Sequence, residues 1–425
     1  MMNEKIIKNS FIDECTYIYK HKSGLTIYIS PKKGYTKKSA YFATNFGSIN
    51  NTYVSGENCT TIPDGVAHFL EHKLFESEDG DAFTKYAATG ASANAYTSFT
   101  HTAYYFTCTD NFEANLKILT DLMQTPYFTA ENVAKEQGII GQEINMYLDN
   151  PGWRVYFNML EAMYHICPVR KDIAGSIESI SQITPELLYE CYNNFYNASN
   201  MVLCICGDVN PQKMAVYIET LLDRLVPGIN IESKFDAEPE KVLKSYTEQK
   251  LSVSMPIFNI GFKDNDFRCN GDEFIKKNLI GKIVLDILFG RSSNFYDRLY
   301  AKGLINESFD IEYSLEKQYA HSILSGESCN PEEVYNEAFE TIKYYQKSEI
   351  TEHELTRQKN IAKGSFICQF NNIEEISRAI MESHFNDFNL YNSLDIYNSV
   401  TCDDINNAIN KLSEEYSVLS VINPM

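Results

Sequence analysis

An α/β protein built from two copies of one unit is the fold class the sequence predicts, and three observations carry that expectation. Short apolar strand patterns alternate with amphipathic helical ones through the first half of the chain, as in sheets covered by helices. The second half then runs through the same order. A strand pattern near 253–263, a helical one over 272–289 and strands at 308–315 and 319–326 echo residues 39–108, while 401–424 echoes 184–211 down to its Asn-Pro ending. Between the halves, 227–249 is charged and weakly periodic, the best candidate for a linker. The expected organisation is a first domain over 1–226, the linker over 227–249 and a homologous second domain over 250–425, each within the usual size range.

The elements follow in order. Residues 13–30 alternate around Lys22-Ser23-Gly24-Leu25, which predicts a hairpin, and 38–47 reads as another strand. A helix is expected from about Val66, with Asp64 and Gly65 as acceptable N-caps and Val66, Phe69, Leu70 and Leu74 as its apolar stripe. Asp81 to Gly90 predicts a short helix ended by glycine, and 93–99 with 102–108 a strand pair. Helices are expected at 111–124, 130–149 and 151–167; Thr129 caps the second of these, Glu131 suits its first turn and Pro151 ends it. Thr184-Pro185-Glu186 opens a helix to about Tyr196, the strand 201–207 follows, and a helix near 211–224 closes the half.

Composition narrows the function classes. A chain of 425 residues that is 44% hydrophobic and 13% aromatic can bury large cores. The formal charge of −20 argues against a nucleic-acid-binding surface. Eleven cysteines at irregular spacing, an odd number, predict reduced thiols rather than a disulfide framework, and Cys204-x-Cys206 in an apolar strand predicts core packing. The start of the chain lacks an apolar signal core and no apolar run is long enough to span a membrane, so the expectation is a cytoplasmic protein with no membrane partner.

The chemistry centres on His68-Phe69-Leu70-Glu71-His72. On a helix, residues four apart share a face, so the two imidazoles can converge on one ion while Glu71 lies beside them. A single histidine on such a face is usually a core or surface residue; the five-residue pattern arises by chance in a chain this long about once in a hundred. A catalytic zinc normally has three protein ligands and keeps a fourth position for water, so a further ligand must come from elsewhere. The helix over 130–149 offers Glu136 and Glu143, which share a side with Ile140 and Tyr147. Spacing alone leaves both carboxylates as candidates.

With Ala91-Ser92-Ala93-Asn94-Ala95-Tyr96-Thr97-Ser98 between the two motifs, and Gly138 to Tyr147 around the second glutamate, the chain resembles the pitrilysin/insulinase family of zinc metallopeptidases over nearly its whole length, in particular bacterial members. The resemblance implies a metallopeptidase clamshell of two homologous domains, each a mixed, mostly antiparallel sheet covered by helices. It makes His68, His72 and Glu143 the ligands of one Zn2+ per chain, Glu71 the catalytic general base that takes a proton from the attacking water, and Glu136 a carboxylate supporting the ligands. Asn94 and Ala95 match the family's substrate-binding edge strand, where an extended peptide adds to a sheet.

The resemblance also frames the partners. It implies a zinc metalloendopeptidase of short or unfolded peptides, with a non-catalytic peptide-holding or assembly subunit of the same fold as the alternative. The second copy has no His or Glu over 281–289, opposite the motif helix, so one half keeps the chemistry. Relatives often supply an Arg and a Tyr from the second domain to the substrate carbonyl. Here Asn306 stands where that Tyr is expected, which leaves Arg298 and Tyr300 as substitutes and points to a homodimer, or a heterodimer with a zinc-less paralogue, that completes the site.

Overall fold

The computed structural model describes residues 3–78, 80–225, 228 and 231–425. They form two compact units, each assembled from separate stretches of chain: the first from Met1–Ile144, Asp172–Lys234 and Ile367–Tyr391, the second from Asn145–Lys171, Phe235–Phe366 and Asn392–Met425.

The first unit is organised on a seven-stranded sheet in the spatial order Asn3–Asn9, Glu14–Lys20, Thr26–Pro31, Met201–Gly207, Lys38–Thr44, Thr102–Cys108 and Ser92–Thr97. Every neighbouring pair is antiparallel except Thr26–Pro31 with Met201–Gly207, which is parallel. All seven residues of Met201–Gly207 are buried, which explains its continuous apolar run in place of an alternating one. The helix Ile373–Phe385 packs on this strand and on Lys38–Thr44, with Ser39 Oγ and Ser377 Oγ 2.9 Å apart in a buried hydrogen bond.

The second unit repeats the arrangement with five strands in the order Tyr246–Leu251, Ser417–Pro424, Ile257–Asp264, Ala320–Glu327 and Asp310–Leu315. Again one pair is parallel, Tyr246–Leu251 with Ser417–Pro424, and the rest are antiparallel. Its covering helix is Pro151–Met163, from the first half of the chain. The helix lies close over Gly261, where a Cβ would come within 2.4 Å of Met163 Cε and push the methionine side chains of the helix aside. The fold is thus mixed α/β with two similarly built sheets, each covered by a helix from the opposite half of the sequence.

This exchange separates the compact units from the consecutive domains 1–226 and 250–425 read from the sequence: 145–171 and 367–391 each pack with the other half. The physical reason is that each helix buries its apolar face on the sheet it reaches, whatever its place in the chain. The expected linker 227–249 holds the strand Ile231–Ser233 and most of Tyr246–Leu251; its first residue, Pro227, and the boundary residue Val226 lie outside the described residues. Several elements otherwise sit where the sequence puts them, including the hairpin of Glu14–Lys20 and Thr26–Pro31 and the helix Ala82–Thr89 between Asp81 and Gly90. The helix expected over 151–167 ends at Met163.

Candidate metal centre

The motif helix runs Val66–Leu74 and is capped by Gly65 at φ 92°. Only glycine fits there: the left-handed backbone disfavours a side chain, and a Cβ would lie 2.4 Å from the carbonyl oxygen of Ala174. Val66, Ala67, Phe69, Leu70 and Leu74 are buried, and the helix packs on the strands Ser92–Thr97 and Thr102–Cys108. Apolar packing therefore sets the rotation of the helix, and with it the direction of both histidines.

The facing helix, Ala130–Leu148, brings Glu136 and Glu143 to them; Ile140, between the two, is fully buried and fixes that face inward. His68 Nε2 is 3.7 Å from Glu143 Oε1 and His72 Nε2 is 3.5 Å from Glu143 Oε2. One nitrogen from each ring and one Glu143 oxygen all lie within 4.8 Å of one another, and no other such group of three occurs among the described residues. Glu136 takes a different part. Its Oε1 is 3.0 Å from Nδ1 of His72, on the ring edge away from Glu143. Two imidazoles and one carboxylate are a donor set that catalytic zinc sites use, and a carboxylate behind a ligating histidine is the usual support there.

Electrostatics agree with that use. Burial, with His72 beside it, lowers the pKa of His68 and favours the neutral ring that a metal requires. Burial also works to lower His72, but the hydrogen bond to Glu136 and the charges of Glu71, Glu143 and Glu136 raise it. A cation at Nε2 of His72 therefore competes with a proton. Glu136 is lowered despite its burial, chiefly by the hydrogen bond and charge of His72 and then by Lys73.

Glu71 is pushed up by burial, against the pull of His72 and of Thr97, whose Oγ1 donates a 3.0 Å hydrogen bond to Glu71 Oε2. Thr97 belongs to Ser92–Thr97, at the edge of the sheet. Asn94 and Ala95 lie on this strand opposite Tyr105 and Tyr104, and Asn94 Oδ1 accepts a hydrogen bond from the Ala95 N–H at 2.9 Å. Its outer edge has no partner strand among the described residues.

Arg298 and Tyr300 lie in the other unit, on the helix Asn294–Ala301. Arg298 pairs with Glu337 at 2.7 Å, while Tyr300 is exposed and stacks on Tyr296. Asn306 donates to Glu327 at 3.0 Å. Sequence reasoning passed over two residues of the centre, Thr97 and Lys73. The first was legible only as one more polar residue of an edge strand; the second had a signal, a lysine on a helix with an apolar stripe.

Comparison with known proteins bears on this arrangement. The family model described as insulinase, peptidase family M16, matches residues 60–176, and that described as the peptidase M16 inactive domain matches 182–362. A protein of Bacillus subtilis (strain 168) named as the uncharacterized zinc protease YmfH is 41% identical over 411 residues, covering 95% of each chain. The chain belongs to peptidase family M16. A protein of Rickettsia felis named as an uncharacterized zinc protease is 26% identical over 429 residues, covering 96% of this chain and 97% of the relative. Among solved structures, an M16-like peptidase from Alicyclobacillus acidocaldarius superposes with a TM-score of 0.94 at 32% identity, over 97% of this chain and 99% of that one. Within this M16 chain, the insulinase match contains His68, Glu71, His72, Glu136 and Glu143.

Proposed function

We propose that this chain is a zinc-dependent endopeptidase acting on short or unfolded peptides in extended conformation. The observation that carries the reading is the convergence of His68, His72 and Glu143 within 4.8 Å, with Glu71 beside them and Glu136 behind His72. His68, His72 and Glu143 would hold one zinc ion per chain, and the ion would supply a Lewis acid able to bring the pKa of a bound water to about 7 and to polarise a peptide carbonyl.

The remaining steps belong to the chain's own residues. Glu71 accepts the proton of the attacking water, and its burial makes it a stronger base than an exposed carboxylate. The water oxygen bonds to the carbonyl carbon, the C–N bond breaks, and Glu71 passes the proton to the leaving amine. Thr97 holds one Glu71 oxygen so that the other faces the reaction. Glu136 keeps the proton of His72 on Nδ1, which leaves Nε2 free as a donor atom. The outer edge of Ser92–Thr97 at Asn94 and Ala95, unpaired among the described residues, accepts an extended peptide through main-chain hydrogen bonds.

The test is zinc content by elemental analysis alongside cleavage of a quenched unstructured peptide, for wild type and Glu71→Gln. Wild type is expected to bind one zinc and cleave, and Glu71→Gln to bind zinc without turnover. Turnover by Glu71→Gln would refute the role of the base, and absence of zinc from wild type would refute the reading as a whole.

A further inference from the structure

Lys73 follows the second histidine of the motif, and a lysine on a helix is ordinarily solvent-facing. Here it is fully buried. A buried ammonium group is costly unless carboxylates face it, and two do: Glu76, with which it forms an ion pair, and Glu136, whose Oε2 lies 3.6 Å from Nζ. The same Glu136 turns Oε1 to Nδ1 of His72 at 3.0 Å. One carboxylate thus divides its two oxygens between the imidazole and the ammonium of consecutive residues on the motif helix.

We propose that Lys73 is a positioning residue of the metal centre, whose ammonium group holds the Glu136 carboxylate in the orientation that directs His72 Nε2 at the ion. The inference rests on the zinc-peptidase reading above. Volume filling does not account for the residue, because leucine or methionine fills a buried helix position without a charge. Pairing with Glu76 does not account for it either. The Glu76 side chain keeps 37% of its exposure, so a lysine could meet it with its head in water, yet the Lys73 side chain has none. His68 has no comparable support: its Nδ1 is buried without a hydrogen-bond partner among the described residues.

The test is a double-mutant cycle on the full chain, read as zinc affinity by chelator competition at fixed pH, with Lys73→Met, Glu136→Gln and the pair. Each single variant is expected to lose roughly ten- to a hundredfold in affinity, the range for residues that support a ligand. The pair is expected to lose no more than the worse single variant, because Lys73 acts through Glu136. Lys73→Arg, which keeps the cation, is expected to recover part of the loss. Wild-type affinity in Lys73→Met, or single losses that multiply in the pair, would overturn the proposal. If Lys73→Met does not fold, the cycle is run with Lys73→Gln; failure of both to fold beside a folded Glu136→Gln would also overturn it, since the lysine would then serve the core. A wild type that binds no zinc fails the peptidase reading itself, an outcome distinct from these.

Discussion

Thr97 Oγ1 donates a 3.0 Å hydrogen bond to Oε2 of Glu71, which ties the candidate base to the edge strand proposed to receive substrate. The bond anchors one oxygen and leaves the other for the water. Thr97→Val keeps the shape and removes the donor. A hydrogen bond to a charged group is worth about 1.5–3 kcal/mol, so kcat is expected to fall roughly ten- to a hundredfold. Zinc content stays at the wild-type value, because no ligand is touched. Steady-state kinetics with elemental analysis checks this, and an unchanged kcat would remove Thr97 from the site.

Gly65 and Gly175 interlock at the start of the motif helix. A Cβ on Gly65 would lie 2.4 Å from the Ala174 oxygen, and one on Gly175 would lie 2.5 Å from the Asp64 oxygen. Gly65→Ala therefore meets both a left-handed backbone at φ 92° and a main-chain atom that cannot move aside. Gly56, at φ 63°, has nothing within 4 Å of its Cβ position, so Gly56→Ala carries the backbone cost alone, about 1–2 kcal/mol. Gly65→Ala is expected to lower the thermal midpoint of the metal-free protein clearly more than Gly56→Ala, and to weaken zinc binding as the helix shifts.

Much of this was legible in sequence because local pattern and burial coincide. The motif helix has its apolar stripe at Val66, Phe69, Leu70 and Leu74, and the structure buries all four. Glu136 and Glu143 were legible as a pair on one face, but spacing alone cannot say which ring atom each approaches; that depends on how the two helices cross. Contacts distant in sequence were not legible. Nothing local tells that Ile373–Phe385 covers Lys38–Thr44, because an amphipathic helix specifies an apolar face and not its partner. The strand Asn3–Asn9 was obscured by Lys5 and Lys8, charges of the kind an edge strand carries. Lys73 was masked by the ordinary fate of lysine.

The cysteines separate by burial. Cys59, Cys329 and Cys368 are exposed, whereas Cys191, Cys204 and Cys206 are buried in the first unit. Burial pushes Cys191 and Cys206 up to about 12, so their thiolate fraction at neutral pH is negligible. Iodoacetamide on the native protein is expected to modify the three exposed residues, with Cys191, Cys204 and Cys206 reacting only after denaturation. Peptide mapping checks this, and native labelling at Cys204 would contradict the packing of the central strand.

His321 gives the fold a defined acid sensitivity. The ring is fully buried, with Nδ1 3.0 Å from the Tyr164 hydroxyl and Nε2 without a hydrogen-bond partner among the described residues. Burial lowers its pKa from 6.5 to about 4. Above pH 6.5 the ring is neutral whether the chain is folded or not, and it adds no pH dependence. Between 6.5 and 4 the unfolded chain binds a proton that the folded chain refuses, so stability falls as pH falls, by up to about 3 kcal/mol for this group. Below pH 4 both states are protonated and the loss levels off. His101 is lowered to about 4 by burial as well, so some slope survives without His321. His321→Phe is expected to unfold less steeply with acid than wild type across pH 6.5 to 4, as read by urea titration at each pH. Parallel curves for the two proteins would mean that the folded ring takes up its proton near the ordinary value, and that water reaches Nε2.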